Sequence, residues 1–268
     1  MSSEVIRLAT KTFADVTATA GQDYVGTAQI CRPPDNFFDA VLIGSLADSY
    51  QWLDEQGSRA IVLCSDGKNF CAGADFTGRS AASRIGSSGG AGELYEQALR
   101  LFQAPLPVVA AVQGAAVGGG FGLACAADFR VASPQSRFSA NFARIGLHQG
   151  FALSVTLPAI VGQQRATEML YTGRRIGGEE AARIGLADRL ADVAVLRAAA
   201  HELAEEIASA APLAVRAIRA TMRDGLADRV RAAMDRELSE QRKLWPTADF
   251  AEGVKATAER RPARFVGR

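Results

Sequence analysis

The chain has 268 residues, with 30 Lys and Arg against 29 Asp and Glu, so its formal net charge of +1 gives no general attraction to nucleic acid or an anionic membrane. Its 48% hydrophobic and 22% charged residues are ordinary globular composition, sized for one large domain or a core with a helical appendage. Cys31, Cys64, Cys71 and Cys125 show no CxxC spacing, and with only His148 and His201 beside them they argue against a metal site and for reduced thiols in a cytoplasmic protein. The opening MSSEVIRLATKTF has neither the apolar core of a signal peptide nor the Arg-rich character of a transit peptide.

Residues 4–30 alternate in short stretches (VIRLATKTF, DVTATA, YVGTAQI) broken by Gly21 and Asp23, which predicts antiparallel strands in hairpins. A loop at residues 32–36 (RPPDN) precedes helical spacing over residues 38–56, carried by Val41, Leu42, Leu46, Tyr50 and Leu53. Residues 59–64 (RAIVLC) read as a buried strand followed by a Gly-containing loop, SDGKNFCAGAD, at residues 65–75. Residues 77–92 are rich in Ser, Gly and Ala without periodicity, and read either as a lid or as a spacer. A helix over residues 93–103 feeds the apolar, β-branched run at 107–112, and strand, helix, strand at this length predicts a right-handed βαβ unit.

The run Gly118, Gly119 and Gly120 opens a second apolar segment ending at Asp128. If these glycines start a helix, their N–H groups lack intrahelical acceptors and stand at the positive end of the dipole. Such a turn either holds a negatively charged oxygen or simply packs closely. Both glycine loops then lie at the carboxyl ends of neighbouring parallel strands, where open α/β sheets bind ligands. Short strands are expected at 129–132 and 137–139, helices from 151 onward, and one further strand within 186–190. Beyond about residue 193 the chain is Ala-, Arg- and Glu-rich helix that must pack on the core or on another subunit.

With NFCAGADF at residues 69–76, AAVQGAAVGGGFGLACAAD at 110–128, then YTGRRIGGEEAARIGLAD and EGVKATAERRPARF, the sequence resembles the crotonase (enoyl-CoA hydratase/isomerase) superfamily over residues 28–265. The resemblance implies an α/β fold: a crotonase-like ββα spiral core with an acyl-CoA site in residues 1–192, and a C-terminal helical oligomerisation domain in 193–268. It also implies trimers or dimers of trimers, an acyl-CoA thioester as substrate, and no cofactor apart from the coenzyme A of that substrate. No nucleic-acid or membrane partner is expected.

By the same resemblance the amides of Ala74 and Gly119 converge on the thioester oxygen, each well-placed donor stabilising its charge by about 3–4 kcal/mol. Substrate contacts are expected from Arg32, Phe38, Lys68, Ala72, Gly73, Asp75, Phe76, Gly118, Phe142 and Lys255, with Arg79 a further candidate for the phosphates. Relatives that hydrate carry glutamates at the positions of Gly122 and Phe142, and others carry an acid at Gly150. None of these three residues moves a proton. Each positioned acid or base contributes about 10²–10⁴-fold, so losing two removes roughly 5–10 kcal/mol of barrier stabilisation if they act independently. Simple hydration is therefore not expected. Tyr95, on the crossover helix, and His148, in GLHQGF, are candidate replacements, or else a packing aromatic and a structural imidazole. The chain then either performs another acyl-CoA reaction or binds acyl-CoA without catalysis.

Overall fold

The computed structural model describes residues 9–75 and 90–268. The described residues open on three strands, β1 (Ala9–Phe13), β2 (Val16–Ala20) and β3 (Val25–Ile30), each antiparallel to the next. Helix α1 (Ala40–Glu55) follows, its first turn capped by Asp39, whose carboxylate accepts from the Leu42 amide at 2.8 Å. Strand β4 (Ala60–Ser65), helix α2 (Gly90–Gln103) and strand β5 (Val108–Val112) form the predicted parallel unit. Phe76, Arg79 and most of the expected lid segment lie outside the described residues. Residues 90–92, read with that segment, instead begin α2. A first helical turn needs no internal hydrogen-bond donors, so Gly and Ala are tolerated there while Leu94, Ala98 and Leu101 anchor the helix in the core.

After β5 come β6 (Ala115–Val117), helix α3 (Gly119–Ala126), β7 (Phe129–Ala132) and β8 (Arg137–Ser139). A 3-10 helix (Asn141–Ile145) leads to α4 (Leu153–Val161), α5 (Gln163–Thr172), β9 (Ile176–Gly177), α6 (Gly178–Arg183) and β10 (Arg189–Leu190). Four helices close the chain: α7 (Leu196–Ser209), α8 (Pro212–Met222), α9 (Leu226–Leu244) and α10 (Ala248–Glu259). The main sheet runs β1-β2-β3-β4-β5-β7-β10 and is parallel from β3 onward; a smaller sheet runs β6-β8-β9. Strands β6 and β9 were not legible as strands, because their residues, Ala115–Val117 and Ile176–Gly177, sit beside the Gly-rich stretches at 114–120 and 173–178 that read as turns.

The parallel strands are buried on both faces, as their unbroken apolar runs require. Ile61, Leu63, Val108, Ala110 and Val112 face the cluster formed with α1, α2 and α3. Val62, Cys64, Val109 and Ala111 face the other way, where α7 covers them with Leu196, Ala200, Ala204 and Ala208. The four-residue alanine spacing lets α7 approach the sheet closely. Among the described residues no helix is long and apolar enough to cross a membrane.

Candidate active site

Two loops leave the carboxyl ends of β4 and β5 and are lashed together by short polar contacts. Asn36, fully buried, donates to the carbonyls of Asp66 and Asn69 at 2.8 and 2.7 Å. Asn69 donates to Asp35 and accepts from the Ala115 amide, so three segments share one network. Main-chain bonds from Ala72 to Asp35 (2.9 Å), from Phe38 to Gly73 (3.0 Å) and from Val117 to Cys71 (3.0 Å) complete the frame.

Within that frame Gly73 holds φ +89, and a β carbon there would stand 2.7 Å from the Val117 carbonyl and 3.7 Å from the Gly119 nitrogen. The two loops therefore touch at main-chain distance, which only glycine permits. Gly119 begins α3, and a β carbon on it would meet the Phe38 ring at 2.2 Å. Neither the Gly119 nor the Ala74 amide donates to a carbonyl among the described residues.

A cavity of about 370 Å3 opens where the loops meet. It gathers the sequence-derived residues Phe38, Ala72, Gly73, Ala74, Asp75, Tyr95, Gly118, Gly119 and Phe142 on one lining. Four expected residues lie elsewhere. Arg32 is held by Asp15 at 2.7 Å and Asp39 at 3.1 Å and donates to the Phe37 carbonyl, so it braces the loop before α1. Lys68 and Lys255 line neither this cavity nor its neighbour. His148 also lines neither; its Nδ1 lies 2.8 Å from the Gln149 carbonyl.

The neighbouring cavity, about 940 Å3, shares Ala72, Val117, Arg175, Thr257 and Arg260 with the first and adds Arg137, Arg144 and Arg261. Arg261 is paired with Glu252 and Glu259, whereas Arg137, Arg175 and Arg260 form no ion pair among the described residues. Thus a mostly apolar chamber adjoins a cationic one.

Gly122 and Gly150, two of the positions where the resemblance leads one to expect acids, are each crowded by a neighbouring side chain. A β carbon at Gly122 would stand 2.6 Å from that of Phe151, so a phenyl group occupies the room a longer side chain would need. At Gly150 it would stand 2.2 Å from the Tyr95 hydroxyl and 2.7 Å from the Gln241 amide nitrogen. Motif reading singled out neither Phe151 nor Gln241, nor Asn141, whose side chain lines the cavity beside Gly118.

Glu237 also escaped notice. It is 1% exposed on α9, and its carboxylate accepts from the Ala152 and Ser154 amides and the Ser154 hydroxyl at 2.6–3.0 Å, capping α4 from another element. The signal available was register: residues 230, 234, 237, 238 and 241 share one buried face of α9, and two of them are polar. Burial pushes the Glu237 carboxyl up to about 7, against the pull of those three donors. Its folded-state value thus exceeds the unfolded one, so the stabilisation is complete below pH 4.5 and lost as pH rises through about 7. Between pH 5 and 8 the unfolding free energy should fall, by on the order of 3 kcal/mol from this group. Denaturant midpoints for the wild type and Glu237→Gln check this; the variant should lose most of the slope.

A parallel sheet with paired glycine loops and a cavity at its strand ends defines an α/β ligand-binding protein of the doubly covered kind. A family profile for enoyl-CoA hydratase/isomerase matches residues 21–268. A probable enoyl-CoA hydratase from Rhodobacter capsulatus is 38% identical over 212 residues, covering 79% of this chain and 82% of that one. A carnitinyl-CoA dehydratase from Proteus mirabilis is 32% identical over 243 residues, covering 88% and 93%. The crystal structure of an enoyl-CoA hydratase/isomerase from Pseudoalteromonas atlantica aligns with a TM-score of 0.80 at 29% identity, over 94% of this chain and 100% of that one. The chain belongs to the enoyl-CoA hydratase/isomerase family, and its fold is that of the crotonase superfamily.

Proposed function

We propose that the protein processes an acyl-CoA thioester by holding negative charge on the thioester oxygen with the Ala74 and Gly119 amides, in a reaction other than simple hydration. The observation that carries this reading is the contact of the two loops at Gly73, with Ala74 and Gly119 both in the lining of one mostly apolar cavity. Main-chain donors in a water-poor site are effective because they need no reorganisation as charge develops. Isomerisation, thioester hydrolysis, decarboxylation and retro-Claisen cleavage all pass through such charge. Phe151 and Tyr95 crowd Gly122 and Gly150, where the resemblance leads one to expect acids, which makes addition of water the poorest match. The test is turnover of a panel of CoA thioesters followed by mass spectrometry; 2-enoyl-CoA should remain unhydrated while another member is consumed.

The phosphates of coenzyme A are assigned to the arginine-lined cavity rather than to Arg32, Lys68 or Lys255. Its unpaired guanidiniums supply the forked donors that phosphate favours. Arg175→Ala with Arg260→Ala should raise KM for a CoA thioester about tenfold or more, with kcat changed little. The defect should shrink in high salt, where exposed charges are screened. Steady-state kinetics at two ionic strengths check this.

One observation favours a second reading, acyl-CoA binding without catalysis: among the described residues the cavity lining carries a single carboxylate, that of Asp75. That reading requires CoA esters to raise the melting temperature while no panel member reacts. The proposed assembly is a trimer or a dimer of trimers, which sedimentation velocity distinguishes. Helix α8 has no buried residue and exposes Leu213, Ile218 and Met222, an apolar face consistent with subunit contact.

A further inference from the structure

The cavity carries polar groups at several places, among them Asp75, Asn141 and Arg175, and one polar pair is set deep in its apolar part. Phe38, Leu94, Phe142, Ile145, Leu147 and Phe151 supply the apolar lining. Against them stand Tyr95, 8% exposed, and Gln241, 5% exposed. The Tyr95 hydroxyl donates to Gln241 Oε1 at 3.3 Å, long for an O–H···O bond. Gln241 is the firmer partner: its Nε2 donates to the His148 carbonyl at 3.1 Å and the Gln149 carbonyl at 3.3 Å, so its amide is oriented and its Oε1 must face the phenol.

The absence of a side chain at Gly150 completes the arrangement, since any β carbon there would overlap the Tyr95 oxygen. Burial, followed by the nearby Glu237 charge, raises the phenol's pKa, so at neutral pH it is a donor and not a base. A donor with one stretched acceptor can transfer its hydrogen bond to a better-placed oxygen. The phenol oxygen also accepts from the Phe151 amide, which fixes the ring while leaving the hydroxyl proton to the stretched bond.

We infer that Tyr95, oriented by Gln241, is a specificity-determining residue that reads an acceptor oxygen on the acyl group, so that the substrate is an acyl-CoA bearing a hydroxyl or carbonyl oxygen beyond the thioester. This rests on the acyl-CoA reading and deepens it. In an unsubstituted acyl complex the phenol keeps Gln241, so discrimination is moderate, about ten- to hundredfold, rather than the larger penalty of an orphaned buried donor.

The test uses unreactive S-alkyl-CoA thioethers of increasing chain length, each with a terminal methyl or a terminal hydroxyl, bound to the full chain by titration calorimetry. At one length the hydroxyl ligand should bind at least tenfold tighter than its methyl counterpart, and in Tyr95→Phe that ratio should fall to about one. Absence of a gap at every length, or a gap that survives in Tyr95→Phe, overturns the inference. If no thioether of either kind binds, the acyl-CoA reading itself fails, an outcome distinct from binding without preference. Should Tyr95→Phe not fold, Gln241→Met serves: it leaves the phenol without an acceptor when the methyl ligand is bound, so the ratio should grow, and an unchanged ratio overturns the inference.

Discussion

Gly73→Ala is expected to lower kcat/KM by about 10²–10³-fold while leaving most of the protein folded, the loss associated with removing one donor from an oxyanion site. The new β carbon would fall 2.7 Å from the Val117 carbonyl, and φ +89 strains any residue but glycine. Val117 cannot withdraw, because its amide is bonded to Cys71 and its strand is paired with β8. The loop bearing Ala74 must therefore move, and the two amides part. A change confined to KM, or full activity in a folded variant, would remove the proposed charge-stabilising pair. Gly57→Ala is the control: φ there is +84, but a β carbon meets nothing within 4 Å, so it should cost stability without touching turnover.

Installing a carboxylate by Gly122→Glu should not create a hydratase; the substitution should lower the melting temperature by about 6–12 °C. The added β carbon overlaps that of Phe151, which is 1% exposed and packs against Phe38 with ring centroids 5.5 Å apart. Overpacking costs about 1–3 kcal/mol, and burying a carboxylate among aromatic rings adds to it. Hydration of a 2-enoyl-CoA should rise only when Phe151→Ala makes room and Phe142→Glu supplies the second acid. Thermal melts and a hydration assay on the single and triple variants decide this. A single Gly122→Glu that hydrates without loss of stability would show that Phe151 does not occupy the space.

Much of this architecture was legible because the signals were local. Continuous apolar runs at β4 and β5, the helical spacing of α1, and the βαβ interval follow from periodicities imposed by backbone geometry. The paired AGAD and GGG motifs likewise pointed to the loops that meet at Gly73. The cationic side chains were harder to place. Arg32 looked available but is committed to Asp15 and Asp39, whereas Arg137, Arg175 and Arg260 come from three separate segments of the chain and share a cavity through folding alone. His148, adjacent in sequence to the expected acyl pocket, contributes its main-chain carbonyl to Gln241.

From sequence alone came the family resemblance, the order of most of the elements, and the expectation that Gly122, Phe142 and Gly150 stand where relatives carry acids. Periodicity and motif spacing are one-dimensional, so they survive without coordinates. Only the tertiary structure decided what stands in the vacated places: Phe151 across from Gly122, and Tyr95 with Gln241 across from Gly150, the latter pair 146 residues apart in the chain. The physical reason is close packing. Volume that one side chain gives up is taken by whichever neighbour the fold brings there, and that neighbour is set by contacts no local pattern encodes.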